Sequence, residues 1–262
     1  MAFRGKVALV TGAASGMGRL AAQRLARGGA LVAALDRDAE GLAKTAEGLS
    51  GIRTFPCDVT DLGEIRGIVA KVEAELGPID RVVHAAGIMP GAPLLEEDPE
   101  RTKRVMRVNY EGTVNVVSAT LPQMVQRRKG DLVCFGSVAG EALTPRLGAY
   151  CASKAAVNAY VEILAKENAG KGVRILLACP PMVNTPLLNQ SLDSDGPKSL
   201  RQAIDQNMLA KPEDVLDALE ASLERGDSIS HPLAMSKWLH AMRRISPSLL
   251  WKIIEKSETA QA

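Results

Sequence analysis

Tyr150 and Lys154 stand four residues apart, and Ser137 lies thirteen residues before the tyrosine. Residues four apart share one face of a helix, so a phenol and an ammonium at that spacing project toward one point. A tyrosine ordinarily keeps its proton up to about pH 10 and is a poor acid or base at neutrality. A cation a few ångströms away favours the phenolate, by a few kcal/mol at an effective dielectric of about 20. The spacing therefore predicts a Tyr150 pKa lowered by roughly two units, and a group that exchanges protons near working pH. Ser137 is placed to bind the oxygen that Tyr150 protonates or deprotonates. The same spacing also suits a packed tyrosine with its lysine in water, so the surrounding elements must decide.

Those elements begin at the N-terminus. Val7-Ala8-Leu9-Val10 reads as a buried strand. Thr11-Gly12-Ala13-Ala14-Ser15-Gly16-Met17-Gly18 follows, then Leu20, Ala21, Leu25 and Ala26 at helical spacing. In a strand–glycine turn–helix unit, the glycines admit a pyrophosphate close to the backbone. The helix N-terminus then offers free N–H groups and a positive dipole. A second strand, Leu31 to Leu35, ends at Asp36, about twenty positions on, where a carboxylate can bind adenosine ribose hydroxyls. Asp36 would repel a 2′-phosphate, which favours NAD. Arg37 keeps NADP open, because a guanidinium there could accept that phosphate.

Ile52 to Phe55 reads as a third strand leading into Cys57-Asp58-Val59, with Asp58 at the ligand-binding end and Asp61 capping a helix through Leu76. Ile79 to Val83 makes a fourth strand, followed by His84-Ala85-Ala86-Gly87, small residues that let backbone pass near a cofactor. His84 reads as a structural histidine bonded to backbone. Leu132 to Phe135 and Ser228 to His231 read as later strands. The alternation predicts an α/β fold: a Rossmann-type doubly wound parallel sheet with helices on both faces, in one domain over residues 1–233, with a helical extension over 234–262.

Composition bounds the function. The 262 residues carry 32 Lys and Arg against 30 Asp and Glu, so no global charge argues for nucleic acid. Cys57, Cys134, Cys151 and Cys179 form no C-x-x-C pair or zinc-type spacing. Buried free thiols in a reducing, cytoplasmic compartment are expected, and no metal. The N-terminus lacks a signal-peptide core, and no run approaches the roughly 18 apolar residues of a spanning helix.

These ordered motifs resemble the classical short-chain dehydrogenase/reductase family over essentially the whole chain. Thr11–Gly18 matches its TGxxxGxG turn, and Asp58-Val59 its adenine-contacting pair. His84–Gly87 resembles its NNAG motif with two substitutions, and Asn109 falls at its helix asparagine. Ser137, Tyr150 and Lys154 match its serine and YxxxK pair. Pro180-Pro181-Met182-Val183-Asn184-Thr185 resembles its PGxVxT segment, with Pro181 in place of glycine. The resemblance implies a cofactor cradle of Gly12, Ser15, Gly16, Met17, Gly18, Asp36, Arg37, Asp58, Val59, Ala85, Ala86, Gly87, Tyr150, Lys154, Pro180, Val183 and Thr185. It implies proton exchange by Tyr150, orientation by Ser137, ribose binding and pKa lowering by Lys154, and a water held by Asn109 as a relay to Lys154. Homodimer or homotetramer assembly follows from it too, through the helices containing Asn109 and Tyr150. Pro181 puts the path of its loop in doubt, since proline fixes φ and removes an N–H.

Two regions are expected to set specificity: the loop Met89 to Glu97, with Leu94 and Leu95, and a lid over about 186–210, with Leu187, Leu188 and Leu192. Leu143, Pro145 and Leu147 add apolar lining. A lipophilic alcohol or ketone, steroid-like or fatty, fits best. NADP-dependent carbonyl or 3-oxoacyl reduction is the alternative, and a non-catalytic NAD-binding protein would be expected to lack the tyrosine or lysine. In the tail, Met235, Trp238, Leu239, Met242 and Ile245 keep helical spacing among Lys237, Arg243 and Arg244. After Pro247, Leu249, Leu250, Trp251, Ile253 and Ile254 recur beside Lys252 and Lys256. This suits packing over the substrate mouth or on a subunit neighbour. Peripheral contact with a membrane surface is the other reading.

Overall fold

Period-two alternation along the first strand sends its side chains into two separate cores. Val7 and Leu9 face one, Ala8 and Val10 the other, and all four are buried. A strand buried on both faces needs helices on both sides. The computed structural model, which describes Phe3 and residues 5–259, has that layering.

Seven parallel strands among the described residues form one sheet: β1 (Val7–Thr11), β2 (Leu31–Asp36), β3 (Ile52–Pro56), β4 (Arg81–His84), β5 (Gly130–Phe135), β6 (Val173–Ala178) and β7 (Ile229–Ser230). Their order is β3-β2-β1-β4-β5-β6-β7. One face is covered by α1 (Gly16–Arg27), α2 (Ala39–Ala46) and α9 (Pro212–Arg225), which bury Leu25, Leu42, Val215 and Leu219. The other is covered by α3 (Leu62–Glu75), α5 (Gly112–Arg127) and α6 (Gly148–Glu167), which bury Val69, Val116 and Val157. Each such side chain is worth roughly 1.5–3 kcal/mol when fully buried.

Asp61 caps α3 by accepting from the Glu64 N–H at 2.9 Å, as its position predicts. The fourth strand starts two residues later than its hydrophobic run, and the Asp80 carboxylate just before it accepts from the N–H groups of Lys6 and Val7. The last strand is shorter than expected by one residue at each end.

The order reverses at β1, whose neighbours β2 and β4 lead away in opposite directions. Thr11 is in register with both Leu35 and His84. In open parallel sheets the crevice outside the strand C-termini at such a reversal is where ligands bind. Five further helices close over it. These are α4 (Pro99–Met106), α7 (Leu187–Leu192), α8 (Lys198–Asp205) and the hairpin of α10 (Leu233–Ile245) with α11 (Pro247–Thr259).

Candidate active site

The glycine turn reaches left-handed backbone twice, at Gly12 (φ +65°) and Gly16 (φ +52°). A Cβ on Gly12 would meet the Ala85 and Ala86 backbone at 2.7 Å, and one on Gly18 would meet the Gly12 carbonyl at 2.1 Å. Backbone therefore packs on backbone here, and only glycine fits. Ser15 begins α1 without capping it through its side chain, so the first N–H groups of that helix face the crevice. Asp36 ends β2 with one carboxylate oxygen on the Ala14 N–H and the other on the Asp38 N–H, both at 3.1 Å. It pins the turn while still facing the crevice beside Arg37, and Asp38 is the residue that caps α2.

A single cavity of about 970 Å³ runs from this turn to the lid. Every residue expected in the cofactor cradle lines it, from Gly12, Ser15, Gly16, Met17 and Gly18 through Asp36, Arg37, Asp58, Val59, Ala85, Ala86 and Gly87 to Pro180, Val183 and Thr185. Ser137, Tyr150 and Lys154 line its middle. Asn109 does not.

Asn109 sits where the α4–α5 helix widens into a π turn, Arg107–Glu111, a distortion common at functional sites. Its amide clamps the next segment. Oδ1 accepts from the Ile88 N–H at 2.8 Å, and Nδ2 donates to the Ile88 carbonyl at 3.0 Å and to Ser153 Oγ at 2.9 Å. These direct bonds fix the backbone after Gly87.

His84 is structural, but its partners are hydroxyls instead of backbone. Nδ1 lies 2.7 Å from Thr11 Oγ1 and Nε2 lies 3.0 Å from Thr113 Oγ1. Thr113 donates its own proton to the Asn109 carbonyl at 2.6 Å. That order assigns the ring proton to Nε2. Burial, then the charge of Lys154, push its pKa down to about 3. The histidine thus links the end of β1 to the π turn as a neutral group.

The Tyr150–Lys154 electrostatics differ from the expectation. Both side chains are buried, at 6% and 5% exposure. Lys154 Nζ lies 5.8 Å from the Tyr150 ring centre and donates to the Phe135 carbonyl at 2.7 Å. Burial pushes the Tyr150 phenol up to about 12, against a smaller lowering by the Ser137 hydroxyl. Burial likewise pulls Lys154 down to about 8. The lowered phenol predicted from spacing is therefore not found. Desolvation dominates because Tyr150 packs in an apolar cluster with Met89, Leu147, Leu188 and Leu200.

Ser137 follows β5 in extended backbone and accepts from the Ala139 N–H at 3.0 Å, which opens a short 3₁₀ turn, Val138–Gly140. Asn158 holds it from α6, accepting from the Ser137 N–H at 3.3 Å and donating to its carbonyl at 2.9 Å. Sequence reasoning missed Asn158, although it continues the Tyr150–Lys154 face by another four residues. It also missed Arg104 and Arg107, which line the cavity from α4 and the π turn.

The loop after Pro181 follows a defined path. Asn184 N–H donates to the Ala210 carbonyl and Ala210 N–H to the Met182 carbonyl, both at 2.9 Å. This bridge ties together the two ends of the lid. Within the lid, Leu187, Leu188 and Leu200 line the cavity, whereas Leu192 packs behind them. Met89 and Leu147 also line it. Leu94 and Leu95 point away, 63% and 102% exposed, and Leu143 and Pro145 are absent from the lining.

The tail closes the far end. Met235, Leu239, Ile254 and Ser257 line the cavity. Glu258 of α11 accepts from the Lys198 and Ser199 N–H groups at 2.9 and 3.0 Å, capping α8 where its own sequence supplies no cap. No helix among the described residues is long and apolar enough to cross a membrane. The four cysteines are free and buried, and burial pushes the Cys57 and Cys134 thiols up to about 12.

A family model described as short chain dehydrogenase matches residues 6–196. The chain is 36% identical over 230 residues to the glycine betaine reductase ATRR of Emericella nidulans, a match covering 86% of this chain but 18% of that longer protein. It is 35% identical over 223 residues to the 3-oxoacyl-[acyl-carrier-protein] reductase FabG of Thermotoga maritima, covering 84% of this chain and 90% of FabG. A solved short-chain dehydrogenase from Streptomyces avermitilis superposes with a TM-score of 0.80 at 24% identity, covering 100% of this chain and 99% of its own. That likeness is one of fold, and it extends through the two C-terminal helices.

Proposed function

The chain belongs to the short-chain dehydrogenase family of NAD(P)-dependent oxidoreductases, and from that premise we propose that it interconverts a secondary alcohol and a ketone with NAD(H), on a lipophilic, steroid-like or fatty substrate. The observation that carries this reading is the continuous cavity. It joins a backbone cradle at one end to Leu187, Leu188, Leu200, Leu239 and Ile254 at the other, with Ser137, Tyr150 and Lys154 between them.

The cradle fits a dinucleotide, because the Gly12 and Gly18 contacts bring bare backbone beside a helix start whose first N–H groups no side chain caps. Asp36 supports NAD, as a pinned carboxylate disfavours an added phosphate at the adenosine ribose. When bound, the cofactor takes or delivers the hydride. Tyr150 moves the proton at the substrate oxygen. Its phenol stays protonated past neutrality, so it enters the cycle as an acid, the role that ketone reduction needs. Ser137 hydrogen-bonds the same oxygen, with its backbone held by Asn158. Lys154 donates to the nicotinamide ribose, and Asn109 positions the backbone after Gly87. The tail covers the substrate mouth. The homodimer or homotetramer belongs to the same proposal.

Catalytic efficiency with NADH and NADPH, read by nicotinamide absorbance, tests this reading. The panel is ketosteroids, aliphatic ketones and 3-oxoacyl esters. Wild type is expected to prefer NADH, Asp36→Ala to lose that preference, and Arg37→Ala to lower only the NADPH rate. Preference for NADPH, or for the 3-oxoacyl ester, would favour the carbonyl or 3-oxoacyl reductase instead.

A second reading of the tail rests on its outward face, where Trp238, Ile245, Leu249 and Ile253 are exposed near Lys237 and Lys252. Sedimentation with anionic liposomes, compared with a chain ending at Leu233, separates a membrane contact from a cover alone.

A further inference from the structure

Two of the chain's three histidines meet at one carboxylate outside the cavity. Glu141 directly follows the 3₁₀ turn that begins at Ser137. His231 follows β7, and His240 lies in α10. His231 Nε2 is 3.2 Å from Glu141 Oε1, and His240 Nδ1 is 2.5 Å from Oε2. The two rings are 4.1 Å apart. One donor atom from each residue falls within 4.8 Å of the others, and no other group of His, Cys, Asp or Glu among the described residues converges in this way. Side-chain exposures of 25%, 13% and 30% for Glu141, His231 and His240 leave the cluster shielded yet reachable by an ion.

We propose that Glu141, His231 and His240 form a site for a divalent ion of the zinc class, which ties the C-terminal helices to the segment carrying Ser137. The donor set decides the class. Two imidazoles and one carboxylate suit zinc, whereas calcium and magnesium prefer all-oxygen shells. Bonds of about 2.0–2.2 Å put tetrahedral donors about 3.3 Å apart. The 3.2 Å from His231 Nε2 to Oε1 already meets that spacing, whereas His240 Nδ1, 2.5 Å from the other carboxylate oxygen, must withdraw to admit the ion. Three protein ligands leave a fourth place for water.

One neighbour opposes the ion and sharpens the test. Arg244 Nη1 lies 3.5 Å from His240 Nε2, on the far side of the ring. Metal at Nδ1 places the ring proton on Nε2, so the exposed Arg244 must swing away. Its removal should therefore leave binding as tight or tighter.

The full chain, stripped with a chelator and dialysed, is titrated with Zn²⁺ alone by calorimetry, and its thermal unfolding is followed with and without the ion. One equivalent is expected to bind and to raise the Tm, since an ion that binds only the folded state stabilises it. Outer-shell partners of metal ligands are already worth about 10–100-fold in affinity, so Glu141→Gln and His240→Gln should each weaken binding at least about ten-fold. The Tm shift should vanish in His240→Gln, whose fold is checked by circular dichroism. Arg244→Ala should bind at least as tightly as wild type. Absence of binding by the wild type would overturn the proposal and leave a carboxylate held only by hydrogen bonds. Equal binding by His240→Gln, or weaker binding by Arg244→Ala, would overturn it as well.

Discussion

The cofactor end of the cavity is built by backbone packed on backbone, while the substrate end is built by side chains from segments far apart in the chain. At the first end a single added methyl would strike a carbonyl at 2.1 Å. At the second, Met89, Leu147, Leu188, Leu200, Leu239 and Ile254 arrive from six separate elements or loops and meet only through tertiary packing. The difference separates what the fold must conserve to hold a cofactor from what it can vary to choose a substrate. Tyr150 belongs to both ends: it shares a helix with Lys154, and its ring is buried by the lid.

The sharpest way to break this contrast is Gly18→Ala. Overpacking against rigid backbone costs about 1–3 kcal/mol or more, so cofactor affinity measured by fluorescence titration should fall at least about ten-fold. Unchanged affinity would show that the turn yields as easily as the lid. Leu239→Asp probes the opposite end. It should raise KM for a lipophilic substrate about ten-fold or more, with cofactor affinity unchanged in the same titration. An equal loss of both would erase the distinction.

A smaller effect comes from the link between the ends. His84 has its pKa lowered to about 3, below the ordinary value of 6.5. The unfolded chain therefore binds its proton more readily than the folded one between those pH values. The stability from this neutral histidine is fully present above about pH 6.5 and is lost as pH falls toward 3. The Tm of wild type should drop over that window, and His84→Asn, which cannot titrate, should show a shallower drop. Parallel curves would remove His84 from the account.

Legibility followed the same division. Gly12, Gly18 and Asp36 lie within one strand–turn–helix–strand unit, where local geometry dictates residue type. Their places in the cavity could therefore be read from the chain. The doubly wound parallel architecture was legible for the same reason, since buried parallel strands and amphipathic helices alternate regularly, although β6 was not read from the chain. Leu94 and Leu95 were misread, because an apolar residue in a loop carries no sign of which way it points. The Tyr150 pKa was misread for a related reason. The helical spacing reports the cation, but the burial that raises the phenol comes from Leu188 and Leu200, dozens of residues downstream. Glu141, His231 and His240 are separated by up to 99 residues, and no spacing rule joins them.

Turnover of Tyr150→Phe tests the central claim most directly. The substitution removes one oxygen and keeps the ring that packs against Leu188 and Leu200. Cofactor binding should be retained, while ketone reduction followed by NADH absorbance should fall by about 10²–10⁴-fold, the usual worth of a positioned acid or base. Near-normal turnover with the cofactor bound would contradict the assignment of Tyr150 as the proton donor.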